Sequence, residues 1–153
     1  MNSLAIFNQI FTPLTLNLTN ELYKQLPAKT IGQKILKQRL IRNIERKDFC
    51  KMINAEKKTV ELWELHGLVP SSKSIKKICD FFELPLEYFG EYFAIYFRNP
   101  EELFVEWKNR NGYSYSECVR ILECSRSALI TFVRGYYGLS YDMYLKMKEV
   151  GVF

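Results

Sequence analysis

Histidine is almost absent from this chain, which contains one, His66, among 153 residues. The cysteines, at positions 50, 79, 118 and 124, form no Cys-x-x-Cys pair. Structural zinc sites use closely spaced cysteine and histidine ligands, so we predict that the chain holds no metal. Cys50, Cys118 and Cys124 fall among apolar residues of predicted helices, where a reduced thiol behaves as a small hydrophobic group.

The motifs that usually carry catalysis are missing as well. The sequence has no Ser-His-Asp or Cys-His arrangement with supporting spacing, no glycine-rich phosphate loop and no distinctive motif of paired carboxylates. We therefore predict that the protein is not an enzyme. We expect neither a cofactor nor a small-molecule ligand.

Positive charge is missing from the start of the chain, where the first basic residue is Lys24. A secretory signal carries basic residues ahead of its apolar core, and this feature is absent here. No apolar run in the sequence approaches the length of a membrane span. We therefore expect a cytoplasmic protein that does not enter a membrane.

Positive charge is concentrated in the middle of the chain. The 22 lysines and arginines exceed the 17 acidic residues, which gives a net charge of +5. Residues 31–90 carry most of this excess, with 12 basic residues against 8 acidic ones. The excess weakly indicates a polyanionic partner such as nucleic acid, although many proteins with a mild positive charge bind none.

Apolar residues recur at helical spacing throughout the chain after residue 30, so we predict an all-α fold. Ser71 is a candidate helix cap, and Pro85 is placed to open a short helix. Asn99-Pro100-Glu101-Glu102 predicts another helix start, because asparagine can cap, proline suits the first position and acids suit the positive helix end.

Aromatic residues follow Pro85 at intervals of four, which would place them on one face of a single helix. Such a stripe could stack nucleotide bases, but it is more often used for packing in a core or an interface. We interpret it as a packing surface and a candidate dimer interface. Its members are Tyr88, Phe89, Tyr92, Phe93, Tyr96 and Phe97.

Residues 1–30 are interpreted as an N-terminal arm that packs on the body of the protein or on another protomer. Leu14, Leu16 and Leu18 alternate with polar residues, as in a brief strand. The pattern indicates no function for this segment.

The order of polar and apolar residues repeats when the sequence is shifted by 69 residues. The segment NAEKKTVELWELH, residues 54–66, then aligns with ECSRSALITFVRG, residues 123–135. Each copy predicts a helix, a turn, a two-turn helix, a short polar turn and a further helix. The ungapped alignment places Phe49, Met52, Ile53, Ala55, Val60 and Trp63 on Cys118, Ile121, Leu122, Cys124, Leu129 and Phe132. We expect Val60, Trp63, Leu129 and Phe132 to face inward.

The first copy, residues 31–90, resembles the lambda-repressor-like, or Xre-type, helix-turn-helix family. Members of this family commonly pair an arginine in the first helix with a glutamate at the end of the third helix. Arg39 and Glu64 hold those positions, so the resemblance implies a structural salt bridge that can be bidentate. The other residues that carry the resemblance are Ile31-Gly32, Trp63, Pro70 and the closing Leu84-Pro85-Leu86-Glu87.

The second copy, residues 103–153, resembles a shortened and drifted version of the first. Lys108 and Val133 stand where the first copy has its salt bridge, so that pair is absent. Its turn is better formed, with Gly112 and with Ser125 as a cap. The resemblance therefore implies two small helical units, joined by an aromatic helix and linker over residues 91–102.

In this family the third helix lies in the major groove of DNA, and its N-terminal residues meet base edges. The resemblance implies base contacts from Lys57, Lys58, Glu61 and Leu62 in the first copy and from Arg126, Ser127, Ile130 and Thr131 in the second. Arg126 is the strongest candidate for bidentate contact with guanine. Expected phosphate contacts are Arg42, Arg46, Lys47, Lys73 and Tyr115.

Two functions remain open from the sequence. The first is a small bacterial or phage regulator that binds double-stranded DNA and acts by occupying an operator, either with two reading units or with one unit in a homodimer. The second is an adapter or phage-type inhibitor that keeps the fold and binds a protein. The charge balance of residues 91–153, with 8 basic and 8 acidic residues, favours the second function for that part of the chain.

Overall fold

A computed structural model describes residues 21–26 and 28–153. All regular elements over these residues are helices, so the predicted all-α class is confirmed there. Most of the predicted N-terminal arm, including the strand-like segment, lies outside the described residues. Within the two described ranges, no helix is both long enough and apolar enough to cross a bilayer.

The chain divides into two compact units between Leu84 and Pro85. The first unit ends at Leu84 and the second unit is Pro85–Phe153. Residues 85–102 thus belong to the second unit by their contacts. The domain bounds drawn from the sequence, 31–90 and 103–153, depend on a family resemblance and stay a prediction.

Two of the four main helices of the first unit, the first and the last, begin at side-chain caps. Thr30 and Gln33 form a reciprocal capping box, in which the Thr30 hydroxyl accepts from the Gln33 backbone N–H at 3.1 Å. Ser71 caps the last helix by accepting from the Ser74 backbone N–H at 3.2 Å. The helices are α1, Ile31–Ile41; α2, Arg46–Ile53; α3, Lys57–His66; and α4, Ser72–Phe82.

The core of the first unit is aliphatic and aromatic. Ile35, Val60 and Ile75 are fully buried, and each contributes about 1.5–3 kcal/mol relative to exposure. The rings of Phe49 and Phe82 stack at a centroid distance of 5.2 Å, which joins α2 to α4. This packing holds α3 from its inner side and leaves its other side exposed.

Gly32 allows α1 to approach α3 closely. A Cβ atom at this position would lie 1.8 Å from the backbone oxygen of Trp63, so any side chain here would force α1 away from α3. Glu101 stands at the corresponding position of the second unit, 69 residues later. The two units therefore differ at the contact between their first and third repeated helices.

The second unit begins with a short 3-10 helix at Leu86–Tyr88, in agreement with the helix start predicted at Pro85. Ser114, Ser125 and Ser140 each cap a following helix with their hydroxyl groups. The helices are α5, Glu91–Tyr96; α6, Pro100–Arg110; α7, Tyr115–Ile121; α8, Arg126–Val133; and α9, Tyr141–Glu149.

The six aromatic residues do not share one helix face, so that prediction is wrong. Gly90, with φ of 151°, separates the 3-10 helix from α5 and breaks the four-residue register. Phe89 and Phe93 are buried, Tyr88, Tyr92 and Tyr96 are half-buried, and Phe97 is 38% exposed. Most of these rings thus pack within the second unit, and the proposed interface stays a prediction.

The start of α6 differs in one detail from the prediction. Pro100 occupies the first turn and two glutamates follow it, as predicted. Asn99, however, adopts a left-handed conformation with φ of 50°, and its side-chain nitrogen lies 3.5 Å from Glu102. The predicted cap by the Asn99 side chain is therefore wrong, because this backbone conformation directs the side chain away from the helix N–H groups.

Helix starts recur at a fixed interval along the chain. The pairs of first residues are Ile31 and Pro100, Arg46 and Tyr115, Lys57 and Arg126, and Ser72 and Tyr141, each 69 residues apart. Val60, Trp63, Leu129 and Phe132 are all buried, which confirms their predicted inward orientation. The interval found in the sequence is thus also an interval in helix position.

Candidate nucleic-acid interface

The α2 and α3 helices of the first unit are joined by a three-residue turn, Asn54–Glu56. Asn54 adopts a left-handed conformation with φ of 52°, and the Ala55 N–H donates to the Cys50 carbonyl at 2.9 Å. Such a short connection orients two helices in the way that helix-turn-helix proteins require. It brings the N-terminal end of α3 directly after the end of α2.

The α3 helix has one buried and one exposed side. Val60, Trp63 and Glu64 are buried, whereas Lys57 and Lys58 in the first turn are exposed. Glu61 and Leu62, one turn later, are half-buried. Among the described residues, neither lysine has an ion-pair partner, so both charges are available to an anionic ligand.

Arg39 and Glu64 meet in the interior of the first unit. Arg39 donates from Nε to Glu64 Oε1 at 2.8 Å and from Nη2 to Oε2 at 3.1 Å, a bidentate arrangement. Its Nη1 donates to the Ile44 carbonyl at 2.8 Å. The Glu64 side chain is 0% exposed, so its charge depends on these partners for compensation.

Arg46 is a third member of this ionic cluster. Its Nε donates to Glu64 Oε2 at 2.9 Å, and its side chain is 24% exposed. The sequence predicted Arg46 only as a phosphate contact and missed its bond to Glu64. The two residues are 18 positions apart on different helices, so no spacing rule connects them. We call Arg39, Glu64 and Arg46 the Glu64 triad.

Burial and charge around the triad also affect Cys50. Burial raises the pKa of the Cys50 thiol, and the negative charge of Glu64 raises it further. The thiol is therefore protonated at neutral pH and serves as a packing group in α2.

Arg42, another predicted phosphate contact, has structural partners. Its Nη2 donates to the Phe82 carbonyl at 3.0 Å, and its guanidinium carbon lies 4.9 Å from the centre of the Phe82 ring. These contacts hold the C-terminal end of α4, where carbonyl groups lack helical partners. A phosphate role for Arg42 stays a prediction.

Lys47 and Lys73 are exposed near the starts of α2 and α4. Lys47 lies 3.0 Å from Glu45, and the hydrogen bond and charge of that carboxylate raise the pKa of the lysine. An exposed pair of this kind contributes little to stability. Lys47 can therefore exchange Glu45 for another anion at small cost.

The second unit presents the corresponding helix, α8, with a different surface. Arg126 and Ser127 are exposed in its first turn, and Ile130 and Thr131 are half-buried. Arg126 donates to the Ser116 hydroxyl at 3.1 Å, across the turn between α7 and α8. The Thr131 hydroxyl lies 2.7 Å from the Ser127 carbonyl, so its donor is directed to the helix backbone.

Lys108, Val133 and Tyr115 occupy the positions of the Glu64 triad in the second unit. Lys108 donates to the Tyr113 carbonyl at 3.1 Å, which corresponds to the bond from Arg39 to Ile44. The Lys108 ammonium also lies 5.0 Å from the centre of the Tyr115 ring. A cation–π contact thus replaces the ion pairs.

Positive charge differs between the two candidate surfaces. The first unit has cations at positions 42, 46, 47, 57, 58 and 73. The residues 69 positions later are Asn111, Tyr115, Ser116, Arg126, Ser127 and Asp142. Their charges cancel, so these six positions carry no net positive charge in the second unit to attract a phosphate backbone.

Exposed tyrosines follow α8, and the sequence reasoning did not select them. Tyr136 and Tyr137 are 68% and 74% exposed, and Tyr137 borders a cavity of about 180 Å³ that Phe132 and Met143 also line. The segment GYYGLSY, residues 135–141, could have predicted this exposure, because Tyr136 and Tyr137 come after the last apolar residue of the helix.

Comparison with known proteins gives one match to a protein with a curated description. A stretch of 68 residues is 34% identical to a Thermococcus kodakarensis protein named "Putative HTH-type transcriptional regulatory protein TK0539", where HTH stands for helix-turn-helix. The match covers 44% of this chain and 21% of that protein, so this chain spans about a fifth of the length of its relative. No family model matches the chain, and no solved structure matches it.

Proposed function

We propose that this protein is a transcriptional regulator that binds double-stranded DNA through its first unit and acts by occupying an operator. The observation that carries the proposal is the exposed first turn of α3, with Lys57 and Lys58, placed directly after the three-residue turn from α2. A helix presented in this way fits the major groove. The name of the Thermococcus kodakarensis protein supports the same class of function.

The first unit is assigned to the lambda-repressor-like, Xre-type helix-turn-helix proteins, and the second unit to a drifted copy of it. The recurrence of helix starts every 69 residues supports the tandem assignment. In the groove, Lys57 and Lys58 would donate to guanine acceptors, and Glu61 would accept from a cytosine amine. Leu62 would contact a thymine methyl group.

Phosphate contacts would surround this helix in the proposed complex. Lys47 and Lys73 are the exposed candidates, and Arg46 is half-exposed at the start of α2. In the second unit, Arg126 keeps a cation at the first position of α8, while Tyr115 offers a hydroxyl. The first unit would therefore supply most of the DNA affinity.

A protein-binding role for the second unit is a second candidate function. The exposed Tyr136 and Tyr137, together with the loss of cations from the surface, favour it. Protein interfaces are rich in tyrosine and poor in lysine. This unit would then form a homodimer or bind another protein, and a homodimer would require a dyad-symmetric operator.

The test is selection of sites from a random duplex library by the purified protein, followed by fluorescence anisotropy titration of the enriched site at several salt concentrations. We expect an enriched site, an affinity that falls steeply with salt, and a Lys57→Ala/Lys58→Ala variant that binds at least tenfold more weakly. Arg126→Ala serves as the matched change in the second unit and is expected to have a smaller effect.

The outcomes separate the candidate functions. No enrichment, with weak binding that ignores sequence, would overturn the regulator and leave the protein-binding role. Equal losses in the two variants would instead indicate two DNA-reading units in one chain. Sedimentation of the protein alone and on the selected duplex would give the number of protomers bound.

A further inference from the structure

Glu64 shares its carboxylate between two arginines whose surroundings differ. Arg39 is 7% exposed, and its guanidinium already donates to Glu64 and to the Ile44 carbonyl. Arg46 donates to Glu64 from Nε alone, at 2.9 Å. Within the described residues, the two Nη groups of Arg46 have no protein acceptor. One edge of this guanidinium is therefore held, and the other edge is open.

The charges of the triad matter as much as its geometry. A single pair of Glu64 and Arg46 would be neutral and would offer a phosphate little attraction. Because Arg39 provides a second positive charge, the triad keeps a net charge of +1 around one fully buried carboxylate. The Nη groups of Arg46, which have no protein acceptor among the described residues, then remain attractive to an anion.

We infer that Glu64 is a positioning residue for DNA binding, which holds the Arg46 guanidinium so that its two Nη groups meet a phosphate of the bound duplex. This inference rests on the proposed function. A planar guanidinium can bind phosphate through two parallel hydrogen bonds. Holding the side chain before DNA arrives reduces the conformational entropy that binding would otherwise cost.

The position of Arg46 in α2 supports a contact between its guanidinium and a phosphate. Arg46 is the first residue of the helix, and the first helix of a helix-turn-helix unit crosses the DNA backbone. In the second unit, Tyr115 and Val133 occupy the positions of Arg46 and Glu64. That unit therefore has no guanidinium held in this way, and the six compared positions there carry no net positive charge.

The direction in which Glu64→Gln changes the DNA affinity separates positioning from simple electrostatics. Glu64→Gln removes a negative charge close to the DNA surface, so electrostatics alone predicts tighter binding. Positioning predicts weaker binding, by about five- to tenfold, because Arg46 loses its anchor. Glu56→Gln is the matched control: Glu56 is exposed at the N-cap of α3, and the same change there should leave the affinity equal or higher.

A double variant tests whether Glu64 acts through Arg46. Arg46→Ala should weaken binding and reduce the slope of log affinity against log salt by about 0.9, the value for one phosphate contact. Glu64→Gln should then cause no further loss in the Arg46→Ala background, since the group that it positions is gone, and the removal of its negative charge should leave the affinity equal or higher. A further loss of similar size in that background would overturn the inference.

Arg46→Lys guards against variants that fail to fold, because it keeps both the charge and Glu64. We expect it to bind severalfold more weakly than the wild type with an unchanged salt slope, since lysine lacks the planar fork. Binding equal to wild type would overturn the inference. Each titration is run at a temperature at which the fluorescence of Trp63, measured for the same variant in a Trp107→Phe background, reports a folded first unit.

The experiment also distinguishes the two proposals. If the wild-type protein enriches no duplex and shows no salt-dependent binding, the proposed function fails and this inference fails with it. If the wild type binds its selected site and Glu64→Gln binds as tightly or more tightly, the inference alone is overturned.

Discussion

In the first unit a buried carboxylate and two arginines connect the first, second and third helices, whereas in the second unit a lysine, a tyrosine and a valine hold the same positions. One hydrogen bond is common to both units. Arg39 donates to the Ile44 carbonyl in the first unit, and Lys108 donates to the Tyr113 carbonyl in the second. Helices at the same interval therefore form in the second unit with Val133 and Lys108 at the positions that correspond to Glu64 and Arg39.

This difference teaches that the ion pair is not a requirement of the helical packing. Buried ion pairs contribute little net stability compared with apolar residues of similar size, because desolvation offsets their attraction. The second unit holds these positions with Val133 and with a cation–π contact from Lys108 to Tyr115, and no ion pair joins them. The triad lies in the unit where cations surround α3, which is the unit for which we propose DNA binding.

Removing Glu64 should have the largest effect on stability. Glu64→Ala leaves two buried or half-buried arginines uncompensated, and we expect the first unit to lose about 3–5 kcal/mol of unfolding free energy. Val133→Ala, the matched change in the second unit, removes only part of a half-buried side chain and should cost about 1 kcal/mol.

The two tryptophans allow each unit to be followed separately in urea. Trp63 lies in the first unit and Trp107 in the second, and both are buried. Glu64→Ala is measured in a Trp107→Phe background, and Val133→Ala in a Trp63→Phe background. Equal losses from the two changes would show that the comparison between the units does not hold.

The close approach at Gly32 should give the next largest effect. Gly32→Ala places a methyl group against the Trp63 backbone oxygen, and overpacking of this kind costs about 1–3 kcal/mol. Glu101→Ala at the matched position should change the stability of the second unit by less than about 1 kcal/mol, the range for an acid in a first turn. Thermal unfolding monitored by circular dichroism would measure both. An unchanged Tm for Gly32→Ala would contradict the close packing of α1 on α3.

Helix caps should have a smaller effect on stability, and the comparison can be made in both directions by removing a cap from the second unit and adding one to the first. Ser114 caps α7 with its hydroxyl, which accepts from the Glu117 N–H at 3.2 Å, whereas Glu45 stands at the corresponding position before α2. Ser114→Ala should destabilise the second unit by about 1 kcal/mol, and Glu45→Ser should stabilise the first by up to about that amount. Urea titration of the two variants checks both signs. A loss of stability in Glu45→Ser would mean that the pair of Glu45 with Lys47 matters more than the cap.

The capping box at α7 contains a titratable carboxylate, that of Glu117. The box at α1 has the neutral side chain of Gln33 at the equivalent place. The Ser114 backbone N–H and hydroxyl donate to the Glu117 carboxylate and hold its pKa below the ordinary value. A lowered carboxyl pKa stabilises the folded state above the unfolded pKa of about 4.3, and this contribution is lost as the pH falls through the lower folded pKa.

Glu117→Gln checks this small effect. The stability difference that Glu117→Gln makes in the second unit, followed through Trp107 with and without this change in a Trp63→Phe background, should be largest at neutral pH and shrink below about pH 4. Gln33→Glu in the first unit would introduce the same titration into the Thr30 box. A difference that is constant with pH would indicate that the Glu117 carboxylate does not contribute through its charge.

Local rules predicted much of the fold. The helical periodicity, the caps at Ser71 and Ser125 and the interval of 69 residues all correspond to observed elements. These features depend on short-range geometry, in which a residue and its neighbours on one helix determine the outcome. The single aromatic face was wrong for a related reason, since one glycine with a positive φ interrupts a periodic pattern that the residue types alone do not reveal.

The candidate site was less predictable. The choice of the α3 lysines and the pair of Arg39 and Glu64 both followed from a family resemblance. The bonds from Arg46 to Glu64 and from Arg42 to the Phe82 carbonyl join helices that are distant in sequence. No pattern along one helix specifies which of several arginines reaches a given acceptor.

By itself, the sequence determined the helical class, the places where most helices begin and the interval of 69 residues between them, because these depend on residue type and local spacing. Only the tertiary structure decided that Gly32 admits the Trp63 backbone, that Arg46 shares Glu64 with Arg39, and that a lysine and a tyrosine replace this cluster in the second unit. Such contacts depend on how helices distant in the chain approach each other, and packing within each core determines that approach.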